Sequence, residues 1–240
     1  DLLLIEDFGN DIFSKKLNSS NEKNLYEKAI HLLSTIHNHS DLKVQNLKKY
    51  NFEILLHESE LFIEWYLEKH LKLNINNSEK NEFQNILEKH FNSLTLKQNN
   101  LVLRDFHVDN LIYLNDRDGI HQLGLIDYQD ALIGSSVYDF VSLIEDVRHP
   151  IKNDLKNSLV ETYSKLISVD QNELKREISF YSIQRNLKII GIFSRLKYRD
   201  DKKNYFPMIE VAWSFITSHL KNNEYKDLSN WMNNIMNNSL

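Results

Sequence analysis

The sequence predicts an α+β chain that is mostly helical, with a small β-hairpin region in mid-chain. Three observations predict it. Apolar residues recur at helical spacing, first through Leu25, Ala29, Leu32, Leu33 and Ile36 and then in most later segments. Between residues 101 and 127 the period shortens to the runs LVLR, NLIYL and HQLGLID, separated by polar loops. No Pro/Gly/Ser linker, internal repeat or sustained heptad pattern divides the 240 residues, so one mostly helical domain with a β insert is the simplest account.

In chain order, LLLIE at the start reads as a buried strand with no earlier sequence to pair with. The first helix is expected over about 20–38, entered through a Ser19/Glu22 capping box. The second spans roughly 53–71 through Leu56, Phe62, Trp65 and Tyr66. The third covers about 79–94, with Ser78 as N-cap and apolar residues at Phe83, Ile86, Leu87 and Phe91. The turn-rich stretch Asn115-Asp116-Arg117-Asp118-Gly119 separates the strands. Helices then return at about 135–147, 152–167, 171–197, 206–221 and 225–237, with Pro150 and Pro207 at boundaries, where they cost least.

Composition excludes several function classes. A net charge of −5 leaves no basic footprint for nucleic acid or an anionic membrane surface. The chain has no cysteine, which rules out thiolate catalysis, disulfides and cysteine zinc sites. No window approaches a membrane span and DLLLIEDFGN has no signal-peptide pattern, so the expected compartment is the cytoplasm.

Chemistry concentrates in LVLRDFHVDNLIYL and LGLIDYQDA. Asp105 and Asn110 stand five residues apart, and Asp127 ends the next apolar run. A hairpin brings Asn110 and Asp127 side by side, and a carboxylate beside an amide oxygen is the hard donor set that Mg²⁺ accepts while keeping waters and phosphates. Asp105 is left to orient a hydroxyl. An Arg-Asp pair, an Asn five residues after the Asp and a later metal-binding Asp form the kinase signature, and Arg104-Asp105, Asn110 and Asp127 fit its order. Leu103 stands where that signature has His, Asp127-Tyr128-Gln129 lacks the glycine of Asp-Phe-Gly, and too little chain follows for an activation loop. A protein kinase is therefore not expected.

With these residues the chain resembles the aminoglycoside phosphotransferase and choline kinase superfamily, small-molecule kinases with a protein-kinase-like fold. RDFHVDNLIYL, GLIDYQDALIGSSVYDFVSLIED and QRNLKIIGIFSRLKYRD, with LLLIEDFG and LFIEWYLEKHL, are most similar to the bacterial cell-wall amino-sugar kinases, which act on the anomeric hydroxyl of N-acetylmuramate and N-acetylglucosamine. The resemblance implies the C-terminal lobe of a kinase-like fold, with Asp105 catalytic, Asn110 and Asp127 on Mg²⁺, ATP as phosphoryl donor and a small-molecule acceptor. It also makes LLLIED a hinge strand, with Leu4, Ile5, Glu6 and Asp7 contacting nucleotide. Residues 1–9 are then the remnant of an N-terminal ATP lobe, and residues 10–240 the helical catalytic lobe. No lysine-bearing early strand is present, and Gly9 alone makes no phosphate cradle. Two functional readings follow: a kinase whose ATP lobe lies upstream, and a non-catalytic lobe serving as remnant or binding module. Neither predicts a nucleic-acid or membrane partner, and nothing in the pattern specifies an oligomer.

Other residues carry a structural reading beside the functional one. His107 and Asp109 read first as loop residues that shape the turn and touch substrate, and second as metal ligands or a His/Asp acid–base pair, while Arg104 reads as loop or substrate support. Gln129 and Asp130 either line the pocket or cap the next helix. Asp139, inside the apolar run YDFVSLIED, needs hydrogen bonds to be tolerated, and the resemblance makes it a brace for the catalytic loop. Glu60, Arg148, Arg185 and Asn186 are candidate sugar contacts, with an exposed helix position as the plainer expectation. Phe62, Trp65, Tyr66, Phe193, Tyr205 and Trp213 are expected in the core.

Overall fold

The computed structural model of the chain describes residues 5–38 and 46–237. In chain order these form α1 (Phe13–Lys16), α2 (Glu22–Asn38), α3 (Phe52–Leu61) continued by a π-helical stretch (Phe62–His70), α4 (Asn77–Asn92), β1 (Asn100–Val102), β2 (Leu111–Tyr113), β3 (Leu123–Leu125), β4 (Leu132–Gly134), α5 (Ser136–Ile144), α6 (Asn153–Leu166), α7 (Gln171–Arg199), α8 (Ile209–Leu220) and α9 (Lys226–Asn237). Short 3-10 segments precede β2, β3, α8 and α9. The molecule is mostly helical with small antiparallel sheets, the class that the periodicity predicts.

The helix caps differ from expectation. At α4 the N-cap is Asn76, not Ser78. Its extended backbone lets its side chain accept the Glu79 N–H at 3.0 Å while Glu79 accepts the Asn76 N–H at 2.8 Å, a reciprocal capping box. At α2, Asn18 and Asn21 replace Ser19 and Glu22: Asn21 Oδ1 accepts the Asn18 N–H at 2.8 Å, and the Asn21 amide donates to the Lys16 carbonyl at 2.8 Å. Two asparagines at this turn reach backbone groups that the serine does not.

The strands form two separate sheets. β2 and β3 make the expected hairpin, with Leu111 opposite Leu125 and Tyr113 opposite Leu123. β1 does not join it and pairs antiparallel with β4, Asn100 opposite Gly134. Three residues, Leu132–Gly134, are too few to announce a strand by alternation, and β1 supplies their partner.

The chain clusters into two compact units, one from Asp1–Lys49 and Lys97–Lys175, the other from Tyr50–Leu96 and Arg176–Leu240. In the first, all nine residues of α5 are buried, as befits a helix apolar on every side. Phe140 stacks on Tyr163 of α6 at 4.1 Å between ring centres. The Tyr163 hydroxyl donates to the Ser136 carbonyl at 2.9 Å and meets His37 Nδ1 at 3.0 Å, while His37 Nε2 lies 3.1 Å from the Leu101 carbonyl. Interior side chains thus tie α2, β1, α5 and α6 together around the strands.

In the second unit α7 is the central helix. At Gly191 any Cβ would lie 2.4 Å from the Leu61 carbonyl carbon, so only glycine admits this approach of α7 to the end of α3. The helix changes to π register immediately after Leu61, where the sequence suggests one continuous α-helix. α4 and α9 pack through Phe83 and Trp231, whose indole N–H donates to the Glu79 carbonyl at 2.9 Å. Of the six aromatic residues expected in the core, Phe62 and Phe193 are buried, while Trp65, Tyr66, Tyr205 and Trp213 are half-buried.

Candidate active site

The Asp105 loop lies wholly in the first unit. It leaves β1 at Leu103 and Arg104, whose N–H groups donate to the two carboxylate oxygens of Asp139 at 2.6 and 2.9 Å. Asp139 is fully buried in the first turn of α5. A buried carboxylate that accepts two backbone N–H groups is well compensated, and here it fixes the chain just before Asp105. Arg104 holds a left-handed backbone with φ of 72°, a conformation disfavoured for a residue with a side chain and typical of sites that over-determine their geometry.

Beyond Asp105 the chain closes a tight turn. The His107 N–H donates to the Asp105 carbonyl at 3.1 Å, and the His107 carbonyl accepts the Asn110 N–H at 2.9 Å. The His107 side chain is buried. The Asn110 amide donates to the Asp105 carbonyl at 3.0 Å. The Asp105 carboxylate itself is exposed.

The β2–β3 hairpin supplies the third residue. Leu111 opposes Leu125, the Ile126 N–H donates to the Asn110 carbonyl at 3.2 Å, and Asp127 follows with φ of 61°. Asn110 therefore lies opposite Ile126, one residue before Asp127, at one end of the hairpin. Gln129 Nε2 donates to Asp127 Oδ1 at 2.7 Å, and Asp127 is exposed. An amide oxygen on half-buried Asn110 and a carboxylate on exposed Asp127 are a donor set that fits a Mg²⁺ ion keeping waters and phosphate ligands. Among the described residues no group of three His, Asp or Glu side chains forms a self-sufficient metal site.

Gln129 and Asp130 do not cap α5. That helix starts later, with Ser135 Oγ accepting the Val137 N–H at 3.1 Å, because β4 intervenes. Of the hinge residues, Leu4 lies outside those described. Ile5 is 81% exposed rather than buried, and residues 5–9 join no sheet. Glu6 pairs with Arg117, and Asp7 Oδ1 accepts the Gly9 N–H at 2.8 Å. Phe8 lies where a Cβ on Gly124 would stand, 2.7 Å away, so glycine at 124 seats this segment against β3.

Two groups of residues differ from their sequence reading. Arg148 lies past the end of α5 and not on an exposed helix: its guanidinium is 3.4 Å from buried Asp146 and 4.0 Å from Asp109, and His149 is 3.7 Å from Asp109 on the other side. The stretch Asp146-Val147-Arg148-His149, with three polar residues of four between an apolar helix and Pro150, is the signal that marks it. Arg185 and Asn186 are buried in α7, and Glu60 is half-buried, donated to by Gln84 at 2.7 Å.

A helical lobe that carries Asp, Asn and Asp on a braced loop and hairpin has the kinase-like phosphotransferase fold. The chain belongs to the phosphotransferase enzyme family, whose model matches residues 2–175. It is 33% identical over 170 residues to the N-acetylmuramate/N-acetylglucosamine kinase of Neisseria meningitidis serogroup B, covering 68% of this chain and 49% of that one. It is 28% identical over 227 residues to the enzyme of the same name from Pseudomonas putida, covering 89% and 63%. The chain thus spans about half to two thirds of the length of such relatives. Among solved structures, a putative aminoglycoside phosphotransferase from Ralstonia eutropha superposes with a TM-score of 0.56 at 14% identity, covering 90% of this chain and 71% of that one. An AMP-bound spectinomycin phosphotransferase gives 0.55 at 17% identity, covering 85% and 69%. These two likenesses concern the fold.

Proposed function

We propose that the protein is an ATP-dependent kinase that phosphorylates a hydroxyl of an amino sugar, with the anomeric hydroxyl as the acceptor, and acts in the cytoplasm. The observation that carries this reading is the placement of Asp105, Asn110 and Asp127 on one braced loop and hairpin, in a chain whose relatives bear the name of amino-sugar kinases. The exposed Asp105 carboxylate accepts the hydrogen of the acceptor hydroxyl and orients its oxygen toward the phosphoryl group. Asn110 and Asp127 would hold Mg²⁺, which would offset phosphate charge. Asp139 keeps Asp105 in place through the N–H groups of Leu103 and Arg104. Positioning and electrostatics are the main contributions a protein makes to phosphoryl transfer. In this reading residues 1–9, Leu4 to Asp7 among them, belong to the hinge that holds the nucleotide, and residues 10–240 are the catalytic lobe.

The test is Asp105→Asn in the intact protein. The substitution keeps the shape and removes the proton acceptor, so kcat should fall by roughly a hundredfold or more with little change in acceptor KM. Near wild-type turnover of every accepted sugar would show that Asp105 does not have this role.

A further inference from the structure

Helix α7 carries three buried or largely buried charges through the second unit, and two of them are answered within the protein. Lys188 lies 2.9 Å from Glu58, and Glu177 Oε1 accepts the N–H groups of Thr95 and Leu96 at 3.0 Å each. Arg185 is different. It is 5% exposed, its Nη1 is buried without a hydrogen-bond partner, and among the described residues no ion pair or ring contact includes it. A guanidinium is always charged and offers five donors. Withdrawing such a group from water without a counter-charge is costly, and replacing it with an apolar side chain would favour the free protein.

We infer that Arg185 is the anchor of a ligand site on α7 that takes a carboxylate. The choice of ligand rests on the amino-sugar reading: N-acetylmuramate carries a carboxylate and N-acetylglucosamine does not. A bidentate guanidinium–carboxylate pair supplies both the missing charge and the missing acceptors. The two neighbouring amides use their N–H donors within the protein, Gln184 to the Leu55 carbonyl at 3.0 Å and Asn186 to the Ser182 carbonyl at 2.9 Å, whereas Arg185 Nη1, like the amide oxygens Gln184 Oε1 and Asn186 Oδ1, is buried without a hydrogen-bond partner.

The experiment is calorimetric titration of the intact protein with each sugar in the absence of ATP, for wild type, Arg185→Met and Arg185→Lys, with thermal melting of the sugar-free proteins. The wild type should bind N-acetylmuramate at least about tenfold tighter than N-acetylglucosamine, a difference that one charged pair readily supplies. In Arg185→Met that ratio should collapse to about one, and Arg185→Lys should restore part of it. Arg185→Met should also melt no lower than wild type, since it removes an unanswered buried charge. An unchanged ratio in Arg185→Met, no preference in the wild type, or a misfolded or markedly less stable Arg185→Met would overturn the assignment. Loss of inorganic phosphate binding instead of sugar selectivity would do the same. Because no turnover is needed, selective binding without phosphorylation would sink the kinase reading and spare this site. Phosphorylation of both sugars with an intact ratio in the variant would do the reverse.

Discussion

Asp139 and Asp105 differ in their surroundings at the loop, one buried and one exposed. Asp139 satisfies the Leu103 and Arg104 N–H groups at 2.6 and 2.9 Å, so Asp139→Ala leaves a buried donor pair without an acceptor. The loss should be about 3 kcal/mol in unfolding free energy, read by urea denaturation, since hydrogen bonds to a charged group are worth more than neutral ones. Asp139→Asn should lose less, because one amide oxygen still accepts. A change of only a few tenths in the alanine variant would mean that the loop is held by other contacts. The pattern of Asp105, Asn110 and Asp127 was legible at this scale by residue type and interval, because a phosphoryl-transfer signature needs few residues at fixed spacing. Arg185 was legible as a candidate sugar contact and not as a buried residue. Within QRNLKII nothing distinguishes a buried arginine from a solvated one, as α7 is polar and apolar on all sides and only its packing decides.

Helical elements were readable wherever one face is apolar, as in α2 and α4, and their ends were not. Asn76 and Ser78 are both good caps by type, and the choice falls to whichever residue takes the extended backbone. β4 escaped because three residues carry no period, and the π register after Leu61 because it involves the approach of a distant helix at Gly191. That approach predicts a result opposite to helix propensity. Gly191→Ala should destabilise by roughly 1–3 kcal/mol through overpacking, although alanine is the better helix former, and a stabilised variant would show that α7 has room to move. The tie of α2 to β1 and α6 through His37 gives a pH dependence. Burial holds the His37 pKa down to about 4 against an ordinary 6.5, with the Leu101 carbonyl bond pulling the other way. The unfolded chain then takes up a proton that the folded chain refuses between these values. Stability from this group is complete above about pH 6.5 and is lost progressively as pH falls toward 4. Urea midpoints measured across this range should fall for wild type and fall less for His37→Gln; equal slopes would refute the assignment.

For the molecule as a whole, the family match over residues 2–175 includes the entire loop and hairpin of the candidate site, and no helix among the described residues is long and apolar enough to cross a membrane. The acceptor was the part least readable in the sequence, because one signature serves every small molecule whose hydroxyl can be placed against Asp105. The direct test is ³¹P NMR of the intact protein with ATP, Mg²⁺ and, in separate tubes, N-acetylmuramate, N-acetylglucosamine, choline and an aminoglycoside. The account predicts a new sugar-1-phosphate resonance with one or both amino sugars and none with choline. Phosphocholine as the sole product, or phosphorylation of the aminoglycoside alone, would contradict it.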